Sequence, residues 1–131
     1  MATSRVGLVY GSAALRAAAR GDRMVWALHR AALAIGIVPV VPASAIAEGY
    51  RTEARGDRLA ALLAGSEVEV LSGEGARRAG ELAARADTTD LVAVEVVEVA
   101  DRRGCAVVAS RQTALRAAAG LLGHDLVLYA V

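Results

Sequence analysis

The short turn formed by Gly11 and Ser12 is the first place in the chain where chemistry is expected. It lies in the segment "LVYGSAAL", between an apolar stretch typical of a strand and a stretch that favours a helix. Ligands of α/β proteins bind outside the carboxyl ends of the strands, and a helix N-terminus at such a turn holds phosphate well. The sequence lacks the further glycines of a dinucleotide or P-loop fingerprint, so the phosphate signal of this turn is weak.

Two acidic residues, Glu48 and Asp90, are the next candidates. Asp90 lies in the first turn of a predicted helix, where a carboxylate interacts favourably with the helix dipole. Glu48 either pairs with Arg51 or Thr52 at the surface, or occupies a buried and partnered position that its apolar neighbours favour. Each acid therefore has a structural explanation beside a functional one.

Residues 91–100, "LVAVEVVEVA", are rich in valine, which favours a strand, but their charges follow a helical spacing. Glu95, Glu98 and Asp101 fall on one helical face, whereas a strand would place Glu95 and Glu98 on opposite faces. We therefore predict a helix here. We expect its charged face to be solvated, with Glu98 paired to Arg102 four residues later.

The remaining residues that could do chemistry are expected to have structural roles. His29 and His124 have no partners at the spacing of metal ligands, which predicts packing or surface positions. Cys105 opens an apolar segment and is expected to be an inert buried thiol. Trp26 is expected to contact the core or a second copy of the chain instead of stacking on bases.

The composition fits one domain, residues 1–131, in a reducing compartment. Hydrophobic residues make up 56% of the chain, which excludes disorder, and a single cysteine excludes a disulfide framework. All 15 basic residues are arginine and 14 residues are acidic, so any RNA contact needs a local arginine cluster. The longest uncharged run, residues 31–47, is too short to cross a membrane, and we expect a cytoplasmic protein.

Strand-like and helix-like segments alternate along the chain, which predicts an α/β fold: a parallel sheet of about five strands between layers of helices. The predicted strands are residues 5–10, 37–42, 67–71, 105–110 and 124–131. The predicted helices are residues 12–22, 22–36, 43–54, 56–65, 73–86, 88–104 and 111–123.

Over nearly its full length the chain resembles a PIN domain, most closely the VapC-like toxins of bacterial toxin–antitoxin pairs. The resemblance is carried by "GLVYGSAAL", "GDRMVWALHRAALAIGIVPVVPASAIAEGYR", "AGELAARADTTDLV" and "GCAVVASRQTALRAAA", at about the right separations. It implies a small three-layer α/β fold. The active members are ribonucleases in which about four acidic side chains hold Mg²⁺ or Mn²⁺, and the metal activates a water molecule against RNA.

Three positions match the family pattern. Ser12 matches the Ser or Thr after the first strand, Glu48 matches the acid in the helix after the second strand, and Asp90 matches the first Asp of a later helix. The resemblance implies that Glu48, Asp90 and Ser12 are what remains of the catalytic site. Glu48 and Asp90 would be the metal ligands if a metal binds.

Three other positions of the pattern are substituted. Gly11 and Ala93 replace aspartates, and Arg111 replaces the aspartate of a Ser-Asp pair. A cation at the first position of a helix opposes the helix dipole by roughly 0.3–1 kcal/mol. We therefore expect Arg111 to pair with Glu48, Asp90 or both, and to take the place of the metal.

Three functions are compatible with this pattern. The first is a degenerate PIN domain without a metal cofactor, which forms homodimers and binds RNA or an antitoxin-like protein. Its expected RNA contacts are Arg16, Arg20, Arg23 and Arg111. The second is an active endoribonuclease toxin that uses Mg²⁺ or Mn²⁺ at Glu48 and Asp90. The third is a non-catalytic protein-interaction module.

Overall fold

A computed structural model describes residues 7–53, 56–123 and 125–131. Strands and helices alternate along the chain as predicted. The strands are β1 (Gly7–Tyr10), β2 (Val40–Pro42), β3 (Glu67–Glu69), β4 (Cys105–Ala109) and β5 (Leu128–Ala130). The helices are α1 (Ser12–Ala19), α2 (Arg23–Ala34), α3 (Ala43–Thr52), α4 (Asp57–Ala64), α5 (Gly73–Ala86), α6 (Leu91–Arg103) and α7 (Thr113–Ala119).

The five strands form one parallel sheet in the order β3-β2-β1-β4-β5. This confirms the predicted α/β fold with a five-stranded parallel sheet. β1 lies at the centre, and its residue Tyr10 is in register with Val108 of β4. The chain runs outward from β1 in one direction and then returns to β4 on the other side. The switch point between β1 and β4 is where α/β proteins of this kind bind ligands.

Helices cover both faces of the sheet. Right-handed crossovers place the helices α1 to α4 on one face and the helices α5 to α7 on the other. In agreement with this arrangement, α1 contacts α2, α3 and α4, whereas α5, α6 and α7 contact one another. α6 also packs against β1, β2 and β4. The predicted three-layer arrangement is therefore present.

α6 confirms the predicted helix, but the expected solvation of its charged face is wrong. All residues from Ala93 to Ala100 are buried, and Glu95 and Glu98 are only 2% and 8% exposed. The helix is enclosed because the sheet lies on one side of it and α3, α5 and α7 lie on others. Asp101 is exposed, and Glu98 accepts the expected hydrogen bond from Arg102 Nε at 3.1 Å.

Most elements whose boundaries differ from the prediction are shorter than predicted. β2 covers half of the predicted segment 37–42 because the residues before it do not pair in the sheet. α7 begins at Thr113 with Gln112 as its N-cap, so Arg111 does not occupy the first helical position. The predictions for Arg5 and His124 lie outside the described residues. Among the residues placed by the structure, no helix is both long and apolar enough to span a bilayer.

Candidate functional site

Gly11 follows β1 at the switch point and packs tightly against β4. Its backbone N–H donates to the carbonyl oxygen of Val108 at 2.9 Å, and the residue is buried. A Cβ atom added to Gly11 would lie 3.0 Å from the Cβ of Ala109, which is closer than ordinary van der Waals contact. Ser12 follows as the half-buried first residue of α1. The position where the family pattern has an aspartate is therefore crowded by the neighbouring strand.

Glu48 lies in the second half of α3 and has the surface pairing that the sequence allowed. Its Oε1 accepts a hydrogen bond from Arg51 Nη2 at 3.2 Å, and its side chain is 34% exposed. Two close contacts hold α3 in place: a Cβ added to Gly49 would lie 3.2 Å from Leu15 Cβ and 3.5 Å from Leu59 Cδ2. The Glu48 carboxylate is thus paired with an arginine of its own helix.

Asp90 is the N-cap of α6. Its Oδ1 accepts a hydrogen bond from the backbone N–H of Ala93 at 3.1 Å, and its own N–H donates to Thr88 Oγ1 at 3.1 Å. A capping carboxylate satisfies one of the free N–H groups at a helix start. Ala93 is 2% exposed and contributes its methyl group to the core. The capping of α6 therefore accounts for an aspartate at position 90.

The expected ion pair between Arg111 and these acids is not formed. Arg111 is exposed and makes no ion pair with Glu48, Asp90 or any other residue that the structure describes. The physical reason is the later start of α7, which leaves Arg111 in the connection after β4 instead of at a helix terminus. Because Gln112 is the N-cap, Arg111 is outside α7 and does not occupy the first helical position. The unfavourable interaction with the helix dipole, which was the reason to expect a carboxylate partner, therefore does not apply to Arg111.

The acidic side chains do not assemble into a metal centre. Across residues 7–53, 56–123 and 125–131, no three His, Cys, Asp or Glu side chains lie close enough together to hold a metal ion. Glu48 is paired with Arg51, and Asp90 is bonded to backbone N–H. This donor set does not fit the centre of about four carboxylates that the family resemblance implies.

Arginines are concentrated instead around the turn between α1 and α2. Gly21 adopts a φ of 78° in this turn, a conformation that favours glycine, and lines two adjoining open clefts of about 710 and 430 Å³. The five arginines that line these clefts are here called the arginine surface: Arg16, Arg20, Arg23, Arg30 and Arg58. The structure therefore brings together three of the four arginines that were expected to bind RNA.

Two members of the arginine surface were missed by the sequence analysis. Arg30 lies seven residues after Arg23 and four after Trp26, a helical spacing that could have revealed one face of α2. Arg58 comes from α4, and no sequence signal links it to α2. Its guanidinium packs on the turn, where a Cβ added to Gly21 would lie 3.0 Å from Arg58 Nη1.

Trp26 supports this surface and does not present a free ring. Its Nε1 donates to the carbonyl oxygen of Ala18 at 2.9 Å, and its ring meets His29 edge-on at a centroid distance of 5.7 Å. The Arg30 guanidinium lies 5.7 Å from the centre of the Trp26 ring, in a cation–π contact. The predicted core contact of Trp26 is confirmed.

The arginine surface carries more positive than negative charge. Two acids, Asp22 and Asp57, line the same clefts. Asp22 is engaged as the N-cap of α2 and accepts from the backbone N–H of Val25 at 3.0 Å. Arg20 is paired with Glu53 at 3.1 Å. The clefts are therefore lined by five arginines and two aspartates in a chain whose net charge is only +1.

His29 is a packing residue, as predicted, and has one polar partner. Its Nδ1 lies 2.8 Å from the Tyr10 hydroxyl, and both residues are buried. Burial lowers the pKa of His29, and the nearby charge of Arg30 lowers it further. Burial also raises the pKa of Tyr10. The pair is satisfied when the Tyr10 hydroxyl donates to a neutral imidazole, so it holds the core together and offers no acid or base to solvent.

Cys105 is half-buried at the start of β4, and burial raises the pKa of its thiol. A raised pKa keeps the thiol protonated and unreactive at neutral pH, in line with the predicted inert role.

No protein-family profile and no curated protein matches the chain. The class that the structure defines is an α/β protein with a five-stranded parallel sheet.

Proposed function

We propose that the chain is a PIN-like domain of the VapC type that has lost metal-dependent catalysis and binds RNA through the arginine surface. The observation that carries this proposal is the concentration of five arginines around Gly21 in a chain of nearly balanced charge. The strand order and the positions of Glu48 and Asp90 support the PIN-like part of the proposal.

Loss of catalysis is supported by the neighbours of the remaining acids. Mg²⁺ is usually held by one or two carboxylates together with water molecules. Glu48 is paired with Arg51, Asp90 is used as a helix cap, and no three His, Cys, Asp or Glu side chains cluster among the described residues. At Gly11 a third carboxylate would first have to displace Ala109.

RNA binding is supported by the chemistry of the guanidinium group. Arginine matches the phosphate oxygens with paired N–H donors and stays charged at any physiological pH. Arg23, Arg30 and Arg58 line one open cleft, and no ion pair occupies any of the three among the described residues. The guanidinium groups of these three arginines are therefore not held by carboxylates, which supports their contact with a phosphate backbone.

The experiment is a titration of fluorescently labelled single-stranded RNA, followed by anisotropy between about 50 and 200 mM salt. The test variant is Arg23→Gln/Arg58→Gln, and the matched control is Arg85→Gln/Arg116→Gln. The control removes the same charge from exposed positions of α5 and α7. We expect the test variant to bind RNA more weakly. The slope of log K for binding against log salt concentration should become shallower by roughly 0.7 for each arginine removed.

Equal losses in the two variants would contradict the proposed surface. Absence of RNA binding in the unmodified protein would contradict the function and would favour the protein-interaction module, with an antitoxin-like protein as its partner. Cleavage of the RNA with Mg²⁺ that is lost in Glu48→Gln would favour the active ribonuclease. The homodimer that the VapC resemblance implies is part of the proposal, and the molar mass in solution tests it.

A further inference from the structure

A small cavity between α5, α6 and the start of α3 has a buried carboxylate in its wall. The cavity has a volume of about 140 Å³ and is lined by Glu95 and Ser44 together with apolar residues that include Leu71, Ala79 and Leu91. The space equals the liquid volume of roughly four or five water molecules. None of its lining residues belongs to the arginine surface, so this inference does not rest on the proposed function.

Glu95 is 2% exposed and has only one of its two oxygens satisfied. Oε1 accepts a hydrogen bond from the Ser44 hydroxyl, whereas Oε2 accepts none from any residue in the described ranges. A buried carboxylate without a cation is expensive, because its charged form has been removed from water. Oε2 is therefore an unpaired acceptor in the wall of a cavity that has room for a small ligand.

The other glutamates near Glu95 are each paired with arginines. Glu98 accepts from Arg78 Nε at 3.3 Å and from Arg102 Nε at 3.1 Å. Glu69 is held by Arg102 and Arg103. Glu95 is the member of this group that no arginine reaches within the described residues, and it is the one that lines the cavity.

We propose that the cavity binds the primary ammonium group of an alkylamine, with its short aliphatic chain against Leu71 and Leu91. An ammonium group has three donors, and Glu95 Oε2 and Ser44 Oγ can accept two of them. A guanidinium has five donors in a rigid plane and would leave most of them unpaired in this space. An uncharged alcohol would satisfy the oxygen without balancing its charge.

Gly80 of α5 is an exposed position at which the cavity can be altered. Gly80 lines the cavity, and a Cβ added there meets nothing within 4 Å. A larger side chain at this position therefore has room to grow over the opening without displacing the backbone. Gly80→Leu also replaces a poor helix former in the middle of α5 with a good one, so the variant is expected to fold.

The test is an NMR titration of the ¹⁵N-labelled full chain with n-butylammonium chloride, followed at the backbone amides of Ser44, Gly80 and Leu91. The controls are n-butanol, which has the chain without the charge, and tetramethylammonium, which has the charge without donors. We expect saturable shifts at these amides with n-butylammonium and at least about tenfold weaker binding of both controls.

Two variants decide where the amine binds. Glu95→Gln and Gly80→Leu are each expected to weaken the binding of n-butylammonium by about tenfold or more. The proposal is overturned if n-butylammonium gives no saturable shifts, if n-butanol binds as well, or if Gly80→Leu binds like the unmodified protein. Should Glu95→Gln fail to fold, Gly80→Leu alone gives the decision.

A comparison of peptides identifies the source of the amine. A short peptide with one lysine is titrated beside the same peptide with norleucine at that position. Tighter binding of the lysine peptide than of n-butylammonium supports the proposal and assigns the amine to the side chain of a protein partner. Binding of n-butylammonium without the lysine peptide supports the proposal and assigns it to a free alkylamine.

Discussion

Asp90 accepts a hydrogen bond from the backbone N–H of Ala93 through Oδ1, at 3.1 Å. In the PIN pattern that the chain resembles, both positions carry aspartates that face a metal. In this chain Asp90 is the N-cap of α6, and residue 93 is an alanine whose methyl group lies in the core. The Asp90 carboxylate therefore has a structural role, because it satisfies a free N–H group at the start of a helix.

A capping role for Asp90 predicts a specific order of stabilities. Asp90→Ala should lower the free energy of unfolding by about 0.5–2 kcal/mol, because the N–H of Ala93 loses its acceptor. Asp90→Asn should be nearly neutral, since asparagine also caps helices well. Urea unfolding of the two variants measures both values. Equal destabilisation by Ala and Asn would show that the charge of Asp90 matters more than its capping oxygen.

The crowding at Gly11 predicts coupling between this residue and Ala109. Gly11→Ala should destabilise the protein by about 1–3 kcal/mol, because the new Cβ would lie 3.0 Å from that of Ala109. The φ of Gly11 is −83°, so backbone strain does not contribute. In an Ala109→Gly background the same substitution should cost much less. A double-mutant cycle by urea unfolding measures the coupling, and additive effects would mean that the two Cβ positions do not compete.

The buried carboxylate of Glu95 predicts a fall in stability as the pH rises. Burial raises the pKa of Glu95 above its ordinary value of 4.5, and the nearby charges of Glu69 and Glu98 add to this, against the hydrogen bond from Ser44. Above pH 4.5 the unfolded chain loses this proton while the folded protein keeps it until its raised pKa is passed. The contribution of Glu95 to the free energy of unfolding is therefore fully present below pH 4.5, and it is lost as the pH rises from 4.5 through the raised pKa of the folded protein.

The Glu95→Gln variant tests this dependence, because glutamine does not titrate. Its free energy of unfolding should exceed that of the unmodified protein by more at pH 7 than at pH 4. Unfolding in urea at several pH values gives the difference curve. A flat difference between the two proteins would contradict a raised pKa at Glu95.

Glu69 serves as a control, because its pKa is shifted in the opposite direction from that of Glu95. Burial alone would raise its pKa, but hydrogen bonds from Arg102 and Arg103 lower it below 4.5. Stability from Glu69 is therefore present above pH 4.5 and is lost as the pH falls through its lowered pKa. Glu69→Gln should accordingly cost stability at pH 7 and little in strong acid.

The order of the elements could be predicted because apolar residues recur at a different spacing in strands and in helices. Each segment is long enough to show the spacing that belongs to it. The helix around Glu95 and Glu98 followed from their spacing, which a strand would have placed on two faces. Their burial did not follow, because it depends on the packing of α3, α5 and α7 around α6. Charge spacing reports which side chains share a face but not what covers that face.

The clustering of the arginines, in contrast to their role, could be predicted in part from the sequence. Arg16, Arg20 and Arg23 lie close together in the sequence, so their shared surface followed from local structure. Arg58 joins them only through the packing of α4 on α1, which no local pattern reveals. For Arg111, the expected ion pair depended on a helix start that the structure places two residues later.

The proposed function requires the chain to bind RNA without a metal ion and without cutting it. Labelled single-stranded RNA is titrated with the protein in Mn²⁺ and in EDTA, and the same samples are followed by anisotropy and on a denaturing gel. Equal affinity in both buffers and intact RNA are expected. RNA shortened only in Mn²⁺, and left intact by Glu48→Gln, would contradict the proposed function.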